Sequence, residues 1–193
     1  MNRDESLLAA LKEDFTQQQI HEFCNYKLSD ADLEFIVFAV KQAHRAVEPK
    51  ALDCALLSAL IVAHVRDNSS IPIALIGGDF KYKGFSLFKH GENLNLKAAK
   101  QNVINEKFDG HFWIEVSGLI VDPSIFRTLY SNHVPENLRK EIEFRFGAGK
   151  GCIVATPEEM IRQHDFDYMP RYSLSDNTIH GLIKGFFEHR LKK

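Results

Sequence analysis

Cysteine is scarce in this chain, and so are long apolar runs and charge of one sign. Its three cysteines, Cys24, Cys54 and Cys152, are odd in number and show no CxxC spacing. That pattern argues against a disulfide framework or a zinc knuckle and for a reducing compartment. The longest apolar run, "ALLSALIVAHV" at 55–65, is broken by Ser58 and His64 and is about half the ~20 residues that a bilayer crossing needs. No membrane partner is expected. Lys and Arg number 24 against 26 Asp and Glu, for a formal net charge of −2. No polybasic run is present, so nucleic acid is not an expected partner either. Nine histidines are scattered, without HExxH or a close pair on a helix face, and no metal or cofactor is implied. The "GAGKG" run at 147–151 lacks the spacing and the hydroxyl residue of a phosphate loop and reads as a connection. The segment "MNRDESLLAALKEDF" lacks the apolar stretch and cleavage site of a signal peptide. The expectation is a cytoplasmic protein whose fold starts there.

What is present suits one packed globular domain over 1–193: the chain is 45% hydrophobic and 26% charged, with 15 phenylalanines. No repeat or linker divides it. A helical N-terminal part (1–50) precedes a central core (51–125) and a C-terminal part of helices and a strand (126–193). Leu7, Leu8, Leu11 and Phe15 stripe a first helix. "SDADLEFIVFAVKQAHRAVEP" predicts a second, capped by Ser29 and stopped by Pro49. "LDCALLSALIVAHVRDNSS" predicts a third, apolar nearly all round and therefore central, with Asp53 or a neighbour as its cap. "IPIALIGG" and "FKYKGFSLFKHG" read as β segments broken by glycines, followed by a hairpin in "GHFWIEVSGLIVDPS". The polar stretch 92–109 carries no clear assignment. Beyond 125 come a short helix around "PENLRKEIEF", a strand "GCIVAT", a helix from Pro157 with a terminal turn at "HDFD" (164–167), and a last helix "SDNTIHGLIKGFFEHRLKK". Helices and strands are segregated along the chain, an α+β pattern.

The hairpin carries the chemistry. With Ser117 and Gly118 as its two central turn residues, opposed residues have numbers summing to 235. His111, Trp113, Glu115, Ile120 and Asp122 then share one face, and Phe112, Ile114, Leu119 and Val121 the other. His111 and Asp122 become diagonal neighbours, roughly 7–8 Å apart in backbone, within reach of an imidazole and a carboxylate. A carboxylate on one ring nitrogen fixes the tautomer and leaves the other free to take a proton from a nucleophile. Trp113, on the same face, is a candidate cleft wall for substrate or a core residue.

Cys54 is the candidate nucleophile. A thiol in the first turn of a helix meets unpaired backbone N–H groups and the positive end of the helix dipole, which favour the thiolate and can receive an oxyanion. Cys24 has no evident base near it, and Cys152 reads as a strand-core thiol.

The ordered set, a Cys heading a Leu-rich core helix, a strand after "SSIP", then "GHFWIEV", a turn and "LIVDPS", resembles the transglutaminase-like branch of the papain-like cysteine protease superfamily. The match spans about Asp53 to Ser124. The resemblance implies a papain-like α+β fold, with the Cys54 helix packed on an antiparallel sheet and extra helices at both ends. It also implies Cys54 as nucleophile, His111 as general base and acid, and Asp122 as orienter. The implied activity is amide hydrolysis or acyl transfer on a peptide or protein, as a cysteine peptidase or transglutaminase-like acyltransferase. The alternative is a non-catalytic protein-binding module that retains the fold. This sequence departs from the family pattern where Leu52 and Asp53 precede the Cys, in place of Gly or an aromatic, and where Phe112 replaces a small residue after the His. Asp53 then either caps the helix while pointing away or opposes the thiolate, and Phe112 should enter the core.

Overall fold

Short polar pairs set four of the helix starts. Asn2 with Glu5, Thr16 with Gln19, Ser29 with Asp32 and Thr156 with Glu159 each form a reciprocal capping box, satisfying backbone N–H groups that a helix start leaves open. The structure, a computed structural model, describes residues 2–47, 54–91, 93–99, 103–104, 109–131, 134–147 and 151–191. In chain order the elements are α1 (Arg3–Leu11), α2 (Gln17–Asn25), α3 (Asp30–Ala46), α4 (Cys54–Asn68), β1 (Ala74–Tyr82), β2 (Phe85–Phe88), α5 (Leu94–Ala98), β3 (His111–Val116), β4 (Leu119–Asp122), α6 (Ile125–Leu129), α7 (Glu136–Phe146), β5 (Ile153–Ala155), α8 (Pro157–His164), β6 (Phe166–Ser173) and α9 (Asp176–Leu191). Pro49 and Asp53, expected to stop one helix and cap the next, lie outside the described residues.

The architecture is α+β, with helices packed on an antiparallel sheet. Strand β1 pairs with β3 over Ala74–Gly78, with β2 over its last three residues and with β6 along most of its length. Strands β4 and β5 extend the sheet beyond β3. Both hairpins turn through two consecutive positive-φ residues, Lys83–Gly84 and Ser117–Gly118, the backbone that suits the right-handed twist of the flanking strands.

Two hydrophobic layers cover the sheet. On one side α4 runs through the core, with Leu57, Ala59, Ile61, Val62 and Val65 without solvent exposure, against Leu75, Phe112, Ile114, Val116 and Val121. Each such Leu, Ile or Val contributes about 1.5–3 kcal/mol of burial. On the other side Ile76, Phe80, Trp113, Ile120 and Tyr168 meet Ile20 and Phe23 of α2, Ile125 and Leu129 of α6, Ile142 of α7 and Met160 of α8. Among the described residues no helix is long and apolar enough to cross a membrane.

Four departures from the sequence expectations have physical causes. Phe15 does not extend the first helix: α1 ends at Leu11, and the Thr16–Gln19 box opens α2. Within the unassigned stretch 92–109, Leu94–Ala98 is a short helix whose Leu94 is buried. The "HDFD" turn is only half a turn. Asp165, at φ 58, reverses the chain, and Phe166 begins β6, an edge strand where Pro170 is tolerated because a missing N–H there removes no ladder bond. Finally, Gly77 and Gly78 do not break β1. They let neighbours approach: a Cβ on Gly77 would lie 2.8 Å from Tyr172 Cζ, and one on Gly78 would lie 2.2 Å from the Met169 carbonyl oxygen and 2.6 Å from Trp113 Cη2.

Gly78→Ala should therefore destabilise the fold by about 3 kcal/mol, the upper range of overpacking. Gly84→Ala has open space and meets only the φ of +78°, so it should cost about 1 kcal/mol. Urea denaturation of the two variants against wild type measures the contrast.

Candidate active site at the open end of the β3–β4 hairpin

The hairpin has the register that its turn residues predict. Ile114 faces Val121, Glu115 faces Ile120 and Val116 faces Leu119. Because side chains alternate, Phe112, Ile114, Val116 and Val121 join the α4 layer while Trp113 and Ile120 join the opposite one. Phe112 is thus core, and His111 and Asp122 are left on one face at the open end.

There His111 Nε2 and Asp122 Oδ2 hydrogen-bond, with both side chains sealed from solvent. The carboxylate is satisfied on every side. Its Oδ1 accepts from the Ser124 backbone N–H at 2.9 Å and the Ser124 hydroxyl at 3.1 Å, and its Oδ2 also accepts from the Tyr168 hydroxyl at 2.9 Å. The next residue is anchored as well, the Pro123 carbonyl accepting from His44 Nε2 of α3 at 2.7 Å.

The imidazole lies in an aromatic box. Phe80, Phe88, Tyr168 and Trp113 surround it with ring centroids 5.5, 5.9, 6.0 and 6.2 Å away. Burial pushes the His111 pKa down, but the Asp122 charge and hydrogen bond more than reverse this. The nearby Cys54 pushes in the same upward direction, and the result is about 10. His111 Nδ1 is buried and makes no hydrogen bond of ordinary geometry, so the nitrogen turned away from Asp122 is uncommitted. Cys54 heads the described part of α4 and is 4% exposed. The three residues singled out in the sequence are thereby close in space: a His–Asp pair in contact, and a thiol near enough to influence the ring.

The other two cysteines differ. Cys24 is exposed. Cys152, just before β5, is pushed up to about 12 by burial and by the nearby Asp122 charge, which keeps it a thiol at neutral pH. Trp113 has no exposed surface. Its ring is nearly parallel to His111, at 23°, and its Nε1 donates to Glu115 Oε1 at 2.7 Å, so it backs the imidazole and presents no wall to an open cleft. Glu115 also receives the Arg3 guanidinium from α1. Burial raises the Glu115 carboxyl, Arg3 and Trp113 only partly oppose it, and it reaches about 7. Among the described residues no group of three or more His, Cys, Asp or Glu side chains is arranged to hold a metal ion.

Sequence reasoning missed Tyr168, Arg3 and the role of Ser124. The bond from Ser124 N–H to Asp122 is an Asx turn, for which "DPS" was a local signal. Tyr168 had a weaker one in the alternation of Phe166, Tyr168, Pro170 and Tyr172. Arg3 had none, its partner lying 112 residues away. No protein-family model, curated protein or solved structure matches the chain.

Both Glu115 and His111 are shifted upward, so both bind protons more tightly in the folded chain and stability falls as pH rises. The Glu115 contribution is lost between about 4.5 and 7 and that of His111 between about 6.5 and 10. Thermal unfolding from pH 4.5 to 10 should show a falling Tm, and Glu115→Gln should flatten the lower part of the slope while leaving the upper part.

Proposed function

We propose that this chain is a thiol-dependent enzyme of papain-like, transglutaminase-like fold that hydrolyses an amide or transfers an acyl group on a peptide or protein, with Cys54, His111 and Asp122 as its triad. The observation that carries this is the buried His111–Asp122 hydrogen bond, with the opposite ring nitrogen uncommitted and the helix-head thiol acting on the same ring. Asp122 fixes which nitrogen is held. With its pKa at about 10, His111 already holds at Nδ1 the proton that Cys54 has given up, and the thiolate sulfur attacks the carbonyl carbon, whose π electrons move to oxygen. The Cys54 backbone N–H at the head of α4 is one donor to that oxyanion. As the intermediate collapses, the C–N bond breaks and the imidazolium returns its proton to the leaving amine. Water, or a second amine, attacks the thioester with His111 again as base, and Sγ leaves as the thiol. The strong hold of Asp122 on the imidazolium favours the thiolate–imidazolium pair from which attack starts and makes the return of the proton to the leaving amine the harder half of this cycle. All three cysteines are free, which supports a reducing, cytoplasmic location.

A second reading, a protein-binding module that keeps the fold without chemistry, draws support from burial, since Cys54 is 4% and His111 0% exposed.

Alkylation separates the two. At pH near 6, iodoacetamide should modify Cys54 far faster than Cys24 or Cys152, and His111→Ala should slow that reaction about 100-fold, the lower range for loss of a positioned base. Equal rates at the three thiols, or none at Cys54, would leave the binding module. With an activated aryl ester, intact-mass analysis should find one acyl group on Cys54 in wild type and none in Cys54→Ala, and Asp122→Asn should slow its formation by at least about 10-fold.

A further inference from the structure

Asp122 has two oxygens and unequal tasks for them. Oδ1 is spent on Ser124, whose N–H and hydroxyl both belong to the same tight turn. Oδ2 faces His111 and also takes the hydroxyl of Tyr168, a residue 46 positions further along the chain on β6. A carboxylate oxygen offers two in-plane lone pairs, so His111 and Tyr168 divide Oδ2 between them. The tyrosine cannot drift from this place. It is 1% exposed, and its ring stands edge-on to Phe80 at 4.9 Å and to Trp113 at 5.2 Å. Burial first, and then Asp122, Glu115 and Cys152, raise its pKa well above the ordinary value, so the hydroxyl remains a neutral donor throughout the working range.

We propose that Tyr168 is a positioning residue of the site: by donating to the oxygen that holds His111, its hydroxyl sets the direction of the carboxylate and limits how tightly that oxygen holds the imidazole N–H. Two donors on one acceptor each receive less of its electron density than either would alone. Without the hydroxyl, Oδ2 belongs to His111, the Nε2–H bond strengthens, and the ring gives up its proton less readily. With a better donor in the same place, the bond to His111 weakens. The charged and titratable groups around the pair are Cys54 from α4, Glu115 from β3, Cys152 before β5 and Tyr168 itself. None of these offers another hydrogen bond to Oδ2. The consequence for chemistry rests on the triad reading above, whereas the effect on the His111–Asp122 bond does not.

The test is proton NMR of the full chain at pH 7, following the His111 Nε2–H resonance, in Tyr168→Phe and in protein with 3-fluorotyrosine at 168, a stronger donor of nearly the same shape. The expected result is movement in opposite directions: downfield in the phenylalanine variant, where His111 keeps the oxygen to itself, and upfield in the fluorinated protein. A purely structural hydroxyl does not produce opposed shifts. Shifts in one direction only, or none in chains of wild-type circular dichroism, would overturn the proposal. The fluorinated protein keeps every native contact and decides the matter alone if Tyr168→Phe does not fold. The alkylation rate of Cys54, measured in parallel at pH near 6, should rise by up to about 10-fold in Tyr168→Phe, the size of a neutral hydrogen bond, because a firmer hold on the imidazolium favours the thiolate. Opposed NMR shifts with an unchanged alkylation rate uphold Tyr168 as the positioning residue of the pair and remove the enzyme reading instead.

Discussion

A carboxylate with no access to water is tolerable only if every lone pair is occupied, and Asp122 meets that requirement with donors from three separate parts of the chain. Ser124 supplies two from the turn that follows, His111 one from the neighbouring strand and Tyr168 one from the far edge of the sheet. Each donor has its own anchorage. The turn is held through Pro123 to α3, the histidine by a box of rings, and the tyrosine by Phe80 and Trp113. The buried charge thus makes the sheet and the surrounding helices agree on one arrangement, because any shift that frees a donor exposes the cost of an unsatisfied ion.

The same economy of contacts reaches the N-terminus. Arg3 of α1 pairs with Glu115, Glu115 accepts from Trp113, and Trp113 lies against His111. The N-terminal helix is therefore connected to the imidazole through the partly buried Arg3 and the fully buried Glu115 and Trp113. Truncating one member of a buried ion pair leaves the other charge uncompensated, so the position of α1 and the packing behind His111 are coupled. Strand β1 takes part through absence: Gly78 lacks the side chain that would occupy the space of the Trp113 ring.

Parity is the second constraint. Both faces of the β3–β4 hairpin are buried, one under α4 and the other under α2 and α6 to α8, so a register slip of one residue would drive His111 and Asp122 into an apolar layer. Ser117 and Gly118, both at positive φ, define a two-residue turn and so prevent the slip. The apolar residues on either side hold the register, and the polar pair follows from it. Two hydrophobic layers thereby fix the place of a hydrogen bond that lies among the aromatic rings of the second.

How much of this was legible depended on the range of the interaction. Alternation and a Ser–Gly turn are local, and they sufficed to place Phe112 in the core and to bring His111 beside Asp122 before any coordinates. The capping Ser29 and the all-round apolar α4 were likewise written in adjacent residues, because helix starts and helix burial are governed by spacings of three and four. Strand β6 was not legible: a proline in its middle argues against a strand until one knows that the strand is an edge, and edges exist only once the sheet is assembled. Gly77 and Gly78 read as interruptions for the same reason, since their lack of side chains has meaning only against Tyr172, Met169 and Trp113. The sequence by itself determined the hairpin, its two faces and the identity of the pair at its end. Tertiary structure alone decided that Tyr168 completes the carboxylate, that Arg3 reaches Glu115 and that the Cys54 thiol comes near the ring, because groups distant in the chain meet only through packing and no periodicity records it.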